Sequence, residues 1–313
     1  MHSTWTRLTE HAGLPASDRH DLPTSTKRFR DGGQYRVEIP SVEGPAAFEA
    51  VLEAASALDV PVHRISQGSG IELLTDAEIS AMVRLGAEAR IEVCLFVGPR
   101  APWEGTAAAL VPDGRIVAWR HMGMDQLRFA FADIERAAGL GVRSVLLADE
   151  GLIWLTARAR SDGLLPRDLI IKGSALMGVA NPVGIRLVAE LGVDSINISS
   201  DTSLARFAAI RQVIDIPIDL YIESPDGLGG FVRHHETPEL VRVGAPIYLK
   251  FGLRNAPNIY PSGAHLEGVA IATGRERVRR AAIGLEHLRR GLPDAAISPP
   301  GAADLGIPVA TPA

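Results

Sequence analysis

Only one cysteine, Cys94, occurs in the 313 residues. A single thiol cannot form an internal disulfide, complete a cysteine-ligated zinc site or hold an iron–sulfur cluster of the usual four-thiolate kind. Long apolar runs are missing too. Nothing approaches the roughly 20 residues of a membrane span, and the first 30 residues lack the apolar core of a secretory signal. Neither sign of charge dominates: 32 Lys and Arg against 37 Asp and Glu leave a net charge of -5 and a pI near 6.0. That balance offers no electrostatic footprint for nucleic acid or for an anionic membrane. No Gly-x-Gly-x-x-Gly turn follows the first strand, which argues against an open dinucleotide-binding sheet. With 46% hydrophobic and 22% charged residues, the composition is that of a packed domain, and the default location is the cytoplasm.

What is present is alternation. In Ile216-Pro-Ile-Asp-Leu-Tyr-Ile-Glu223 the aliphatic residues Ile216, Ile218, Leu220 and Ile222 take one side, while Asp219, Tyr221 and Glu223 take the other. A period of two with two different faces is a β-strand. Burying one face under helices while turning polar groups into a closed centre is what a barrel of parallel strands does. The Pro/Gly-rich stretch after Glu223 ends the strand there. Seven further strands are expected, with ends near 39, 66, 97, 148, 172, 198 and 250, and helical segments between them. Thr75-Asp-Ala-Glu78 is a capping box, Asn181-Pro182 opens a helix with proline at its favoured first position, and Asp201 is expected to cap a helix over 202–213. The parity of the second strand, Val60–Ser66, is ambiguous. Eight strand–helix repeats predict an α/β fold, a single-domain (β/α)₈ TIM barrel over 34–291. Residues 1–33 are read as an N-terminal extension and 292–313 as a flexible tail. An insertion after the third strand, over 98–121, carries a turn at Pro112-Asp-Gly114.

Active sites of this fold lie at the carboxyl ends of the strands. Glu38, Asp149, Lys172, Asn197, Tyr221, Glu223 and Lys250 all fall in the last turn or two of their strands. For all but Asp149, aliphatic neighbours on either side aim the polar group inward. A buried charge has to pair or change its pKa. The set therefore reads either as an ionic layer closing the barrel or as a binding or catalytic site, and taken together it favours the site. Arg100 and Arg254, in loops after strands, are candidates to grip a substrate carboxylate or phosphate, with surface pairing the equal alternative. Adjacent His234-His235 project apart and read first as exposed loop histidines. A metal site would need one of them with Glu223 and His63 or His265. Cys94, early in an aliphatic strand, is packed rather than reactive. The arginines Arg275, Arg277, Arg279, Arg280, Arg289 and Arg290 read as the solvated face of the terminal helix, with a homodimer contact as the minority reading.

From Ile171-Lys-Gly-Ser to Glu223 the sequence resembles the U32 peptidase-like family, which includes collagenase-type proteases and proteins of RNA or quinone modification. The likeness lies in Asn181 entering its helix, in Ala189-Glu-Leu-Gly-Val-Asp-Ser-Ile-Asn-Ile-Ser199, in Ser203-Leu-Ala-Arg-Phe-Ala-Ala-Ile210, and in the strand ending Tyr221-Ile-Glu223. The resemblance implies a barrel-like core, hydrolysis, and Glu223 as the signature glutamate. The family pattern continues with a glycine and two cysteines, where this chain has Ser224-Pro-Asp-Gly-Leu-Gly-Gly230. Thiol and iron–sulfur chemistry do not carry over.

These readings predict an enzyme acting on a small polar or anionic molecule, or a short peptide, by acid/base chemistry at the barrel mouth. Glu223 would be the general acid/base, with Lys172 and Lys250 neutralising developing negative charge and Glu38 completing the catalytic set. Asn197, Tyr221, Asp149, Arg100, Arg254 and His234 would bind substrate. No cofactor is called for, although a divalent metal is one alternative. The others are a Schiff base on Lys172 tuned by Lys250, or a ligand-binding barrel without catalysis.

Overall fold

The computed structural model describes residues 3–18, 21–98 and 119–310. Eight strands run β1 Tyr35–Pro40, β2 Arg64–Gln67, β3 Glu92–Phe96, β4 Ser144–Leu147, β5 Ile170–Gly173, β6 Ser195–Asn197, β7 Ile218–Glu223 and β8 Ile247–Phe251. Each pairs in parallel with the next, and β1 pairs with β8 to close the ring. After an initial helix α1, Thr4–His11, the strands are followed in turn by α2 Pro45–Ala57, α3 Asp76–Ala89, α4 Gly123–Gly139, α5 Glu150–Ser161, α6 Pro182–Glu190, α7 Leu204–Val213, α8 Thr237–Gly244 and α9 Glu267–Gly291. The fold is a (β/α)₈ TIM barrel.

Alternation builds it. Val37, Ile39, Ile65, Val93, Leu95, Val145, Ile171, Ile196, Leu220 and Leu249 are buried in the shared core of strands and helices. The residues between them face the barrel axis. A slip of one position would exchange the two sets, so register is strongly specified. Helix starts are fixed locally: the capping box at Thr75 and Glu78 forms, and the Asn181 side chain accepts from the Gly184 amide at 2.9 Å. Helix α9 lays Ala270, Gly274, Ala281 and Gly284 inward. A Cβ at Gly284 would stand 2.3 Å from the Phe251 ring, so only glycine admits this approach.

Several expectations are corrected. The cap of α7 is Ser203, whose hydroxyl accepts from the Arg206 amide, while Asp201 accepts from the Ser199 hydroxyl one turn earlier. Helix α9 starts at Glu267 rather than 274 because its first two turns also pack inward at Ala270 and Thr273. The stretch after Pro293 is not loose. Ile297 bridges Tyr35 of β1, Ala302 and Leu305 pack with Phe29 and Tyr248, and the Ser298 hydroxyl accepts from Arg36 Nε at 2.9 Å. Arg36 is 1% exposed, and a buried guanidinium has to find partners. The tail supplies Asp304 and the N-terminal segment supplies Asp31, so both ends of the chain are drawn under the amino ends of the strands. The turn expected at Pro112–Gly114 lies outside the described residues.

Candidate active site at the barrel mouth

The axis of the barrel is ionic. Arg64 of β2 donates from Nε to Glu92 Oε1 at 2.7 Å, and from an Nη to Asp219 Oδ1 at 2.6 Å and Glu38 Oε2 at 3.3 Å. Its guanidinium carbon stands 3.6 Å over the Tyr248 ring. Lys172 donates to Glu38 and lies 3.3 Å from Asp219. Lys250 is 3.5 Å from the other Glu38 oxygen, which also accepts from the Ser66 hydroxyl at 2.7 Å. Three cations thus face three carboxylates, each within ion-pairing distance of an opposite charge. Burial pushes the Glu38 carboxyl up, but Lys172, Lys250 and Arg64 outweigh it and hold it well below the usual carboxylate range. Burial likewise opposes the charge on Arg64, which Glu92, Tyr248, Asp219 and Glu38 restore.

Above this network, at the carboxyl ends of the strands, opens a cavity of about 620 Å³. Asn197, Tyr221 and Lys250 line it, with Phe96, Trp119, Leu146, Leu176 and Ile259 among its apolar walls. Lys250 Nζ donates to Asn197 Oδ1 at 2.5 Å and sits 4.3 Å from the centre of the Tyr221 ring. The Asn197 amide is oriented by its own donation to the Gly173 carbonyl at 2.8 Å. Burial pushes the Tyr221 phenol above its usual range, so it acts as a neutral hydroxyl. Tyr260, hydrogen-bonded to Ser41, and Arg277 of α9 complete the lining.

Arg277 is the residue that sequence reading misplaced. It is 4% exposed, not part of a solvated stripe. It donates to the Thr273 hydroxyl at 3.1 Å and to the Ser41 carbonyl at 3.4 Å. Among the described residues no carboxylate pairs with it, and its Nε has no hydrogen-bond partner. Burial pulls its pKa down, opposed by Tyr260, Tyr221 and Glu43. The small residues Ala270, Gly274, Ala281 and Gly284, at helical spacing around it, were the signal that this face of the helix is buried.

The other expected site residues part company. Glu38 and Lys172 meet, as does Lys250, but the first two lie beneath the cavity and are fully enclosed. Glu223 does not join them. Pairing with β8 shifts register between Tyr221 and Glu223, so Glu223 opposes Phe251 instead of an axis residue. Such a bulge turns a side chain off the strand's alternation. Its carboxylate accepts from the Arg254 amide at 3.0 Å and lies 3.1 Å from His234 Nε2. Burial raises the Glu223 pKa, and these hydrogen bonds more than reverse that. His234 is correspondingly buried, contrary to its reading as an exposed loop residue, and stacks on Phe251 at 6.1 Å, while His235 is exposed. Asp149 is the cap of α5, accepting from the amides of Leu152 and His121 at 2.8 and 2.9 Å. The Arg254 side chain stands at the rim, 60% exposed, 3.8 Å from Asp226. Arg100 lies outside the described residues. Cys94 is enclosed, and burial pushes its thiol up to about 11. Among the described residues no three His, Cys, Asp or Glu side chains are grouped to hold a metal ion, and no helix is long and apolar enough to cross a membrane.

No family model matches the chain, and no curated protein matches it. Solved structures are similar at low identity. A U32 peptidase is 17% identical, with 64% of this chain and 73% of that one covered and a TM-score of 0.40. A Coccidioides immitis protein provisionally named as a fructose-1,6-biphosphate aldolase is 11% identical, covering 82% and 93%, with a TM-score of 0.49. The native KDPGal structure is 11% identical, covering 85% and 99%, with a TM-score of 0.48.

Proposed function

We propose that this barrel is an enzyme that binds a small organic anion at its mouth, with Arg277 gripping the anionic group and Lys250 facing the atom that reacts. The observation that carries the reading is Arg277: a buried guanidinium lining a largely apolar cavity, with no carboxylate paired to it among the described residues. A buried charge left unpaired is costly, and a substrate carboxylate or phosphate would complete it with charge-assisted, bidentate hydrogen bonds. The Lys250 ammonium stands 3.5 Å from Glu38 and 4.3 Å from the centre of the Tyr221 ring. In that form it stabilises negative charge developing on a substrate oxygen and can deliver a proton to it. The Tyr221 hydroxyl is a second neutral donor on the same wall. Hydrolysis led by Glu223 is disfavoured, because its carboxylate is committed to His234 and the Arg254 amide outside the cavity lining. An imine mechanism would fall on Lys250, which lines the cavity, rather than on Lys172, which is enclosed and bonded to Glu38.

The test is calorimetry of a panel of small carboxylates and phosphates on the wild type, Arg277→Gln and Lys250→Met, followed by turnover assays on the ligands found. Arg277→Gln should weaken binding by about tenfold or more, with unchanged circular dichroism. Lys250→Met should bind the same ligands yet lose turnover. Equal binding by Arg277→Gln, or turnover by Lys250→Met, refutes the assignment. Borohydride trapping of a carbonyl ligand on Lys250 would convert the charge-stabilising role into an imine one.

A further inference from the structure

A second cavity, of about 730 Å³, opens at the opposite end of the barrel, under the amino ends of β5 to β8. It is rich in arginine: Arg28, Arg30, Arg36, Arg64, Arg160 and Arg167 all line it. Four aspartates line it too, and each is already committed. Asp168 pairs with Arg143 at 3.3 Å, Asp194 with Arg160 at 2.5 Å, Asp215 with Lys27 at 2.8 Å, and Asp304 with Arg36. Arg36 and Arg64 are likewise saturated by carboxylates. Three guanidiniums remain. Among the described residues Arg28 donates only to the carbonyls of Ser25 and Lys27, at 2.9 and 2.7 Å, and neither Arg30 nor Arg167 has a carboxylate partner. They come from two separate segments, the one leading into β1 and the one leading into β5, yet they border one cavity.

An independent feature lies deeper in the same space. Ser195 of β6 lines this cavity, is 1% exposed, and its hydroxyl has no hydrogen-bond partner among the described residues. A buried hydroxyl without a partner costs free energy, and an acceptor entering from the cavity would relieve it. Phe29 and Tyr248 add aromatic surface, edge to face at 5.4 Å. Guanidiniums bordering one cavity give it a positive potential, and an anion of matching charge seated there would complement it.

We propose that this amino-end cavity is a binding site for a compact polyanion carrying two or more phosphate groups, separate from the mouth. The planar fork of arginine matches phosphate oxygens bidentately. Three uncommitted forks suit a ligand with several phosphates better than a monoanion. The volume is ordinary for a small-molecule site. The site needs neither Arg277 nor Lys250, so it stands or falls independently of the mouth.

The experiment is calorimetry of the full chain with tripolyphosphate and pyrophosphate, without divalent cations, against orthophosphate and citrate as comparators. Tripolyphosphate should bind most tightly, and the affinity should fall as salt is raised. Arg30 and Arg167 are solvent-exposed, so the double variant Arg30→Gln/Arg167→Gln should keep its fold. It should weaken tripolyphosphate binding by about tenfold or more, while Arg277→Gln leaves it unchanged. Absence of binding by the wild type at millimolar ligand overturns the proposal, as does unchanged binding by the double variant. Citrate binding as tightly as tripolyphosphate would overturn the assignment to phosphates.

Discussion

Acidification from pH 7 to pH 5 places a proton on exposed imidazoles at little cost, but His63 cannot take one without breaking the seam it holds. His63 is 1% exposed. Its Nδ1 accepts from the Val37 amide of β1 at 3.1 Å, so the ring proton is on Nε2, which donates to the Ser298 carbonyl of the tail at 2.9 Å. A second proton would set an N–H against an N–H. Burial is the main cause that pulls its pKa from the ordinary 6.5 down to about 4, against the pull of the Ser298 carbonyl. Above pH 6.5 the ring is neutral in both folded and unfolded chains and the linkage contributes nothing. Below it, the unfolded chain binds a proton that the folded one refuses, so stability falls until the folded pKa is reached. At 1.36 kcal/mol per tenfold, the loss is about 3 kcal/mol in full and about 2 kcal/mol by pH 5. Urea unfolding at pH 7, 6 and 5 reads it directly. The carboxylates with depressed values, Glu38 and Glu223, begin to contribute only below their ordinary 4.5, and His287, also lowered by burial and by Arg290, acts in the same upper window as His63 with the same sign. His63→Gln, which does not titrate, should be less stable at pH 7 and show a flatter slope. Equal stability of the wild type at pH 7 and pH 5, or an identical slope in the variant, would refute the reasoning.

Glu38→Gln should destabilise the fold by about 3–5 kcal/mol, since it leaves Arg64, Lys172 and Lys250 facing only Glu92 and Asp219 in the enclosed axis; a urea midpoint near that of the wild type would show that the ionic core is not structural. Glu223→Gln should cost about 1–2 kcal/mol through weakened hydrogen bonds to His234 and the Arg254 amide, while leaving ligand binding at the mouth intact. Loss of that binding in a folded Glu223→Gln protein would place Glu223 in the site after all.

The barrel is legible because its strands announce two faces: Val37 and Ile39 against Arg36 and Glu38, or Leu249 and Phe251 against Tyr248 and Lys250. The convergence of Glu38, Lys172, Asn197 and Lys250 follows from the same parity. Parity alone does not say how deep a group lies along the axis. Lys172 and Glu38 fall one layer below the cavity and neutralise each other, whereas Lys250 and Asn197 reach it. Arg64 escaped notice because the apolar Val60 and Val62 blur where β2 begins. Glu223 leaves the inward set because of a bulge that makes no mark on an otherwise perfect alternation; only the pairing with β8 exposes it. Arg277 was hidden among other arginines, since in a run this basic the small residues, not the charges, report which side of the helix is covered. The tail was misread because Pro, Ala and Gly suggest looseness, while its two working groups, Ser298 and Asp304, have meaning only against Arg36.

That tail sets a timetable for the ribosome. Arg36 and Ser298 are 262 positions apart, and Ile297 pairs with the first strand. Asp31 and Tyr248 meet Arg36 without the tail, but β1 waits for a segment far along the chain before its buried guanidinium gains Ser298 and Asp304. Loop closure over such a span is entropically expensive and slow. Until then Arg36 lacks two of its partners and Tyr35 lacks the Ile297 bridge, and incompletely packed segments are features that holding chaperones and proteases can act on. A chain stopped short of Ser298 would keep both, so errors late in synthesis should be cleared as readily as gross misfolding.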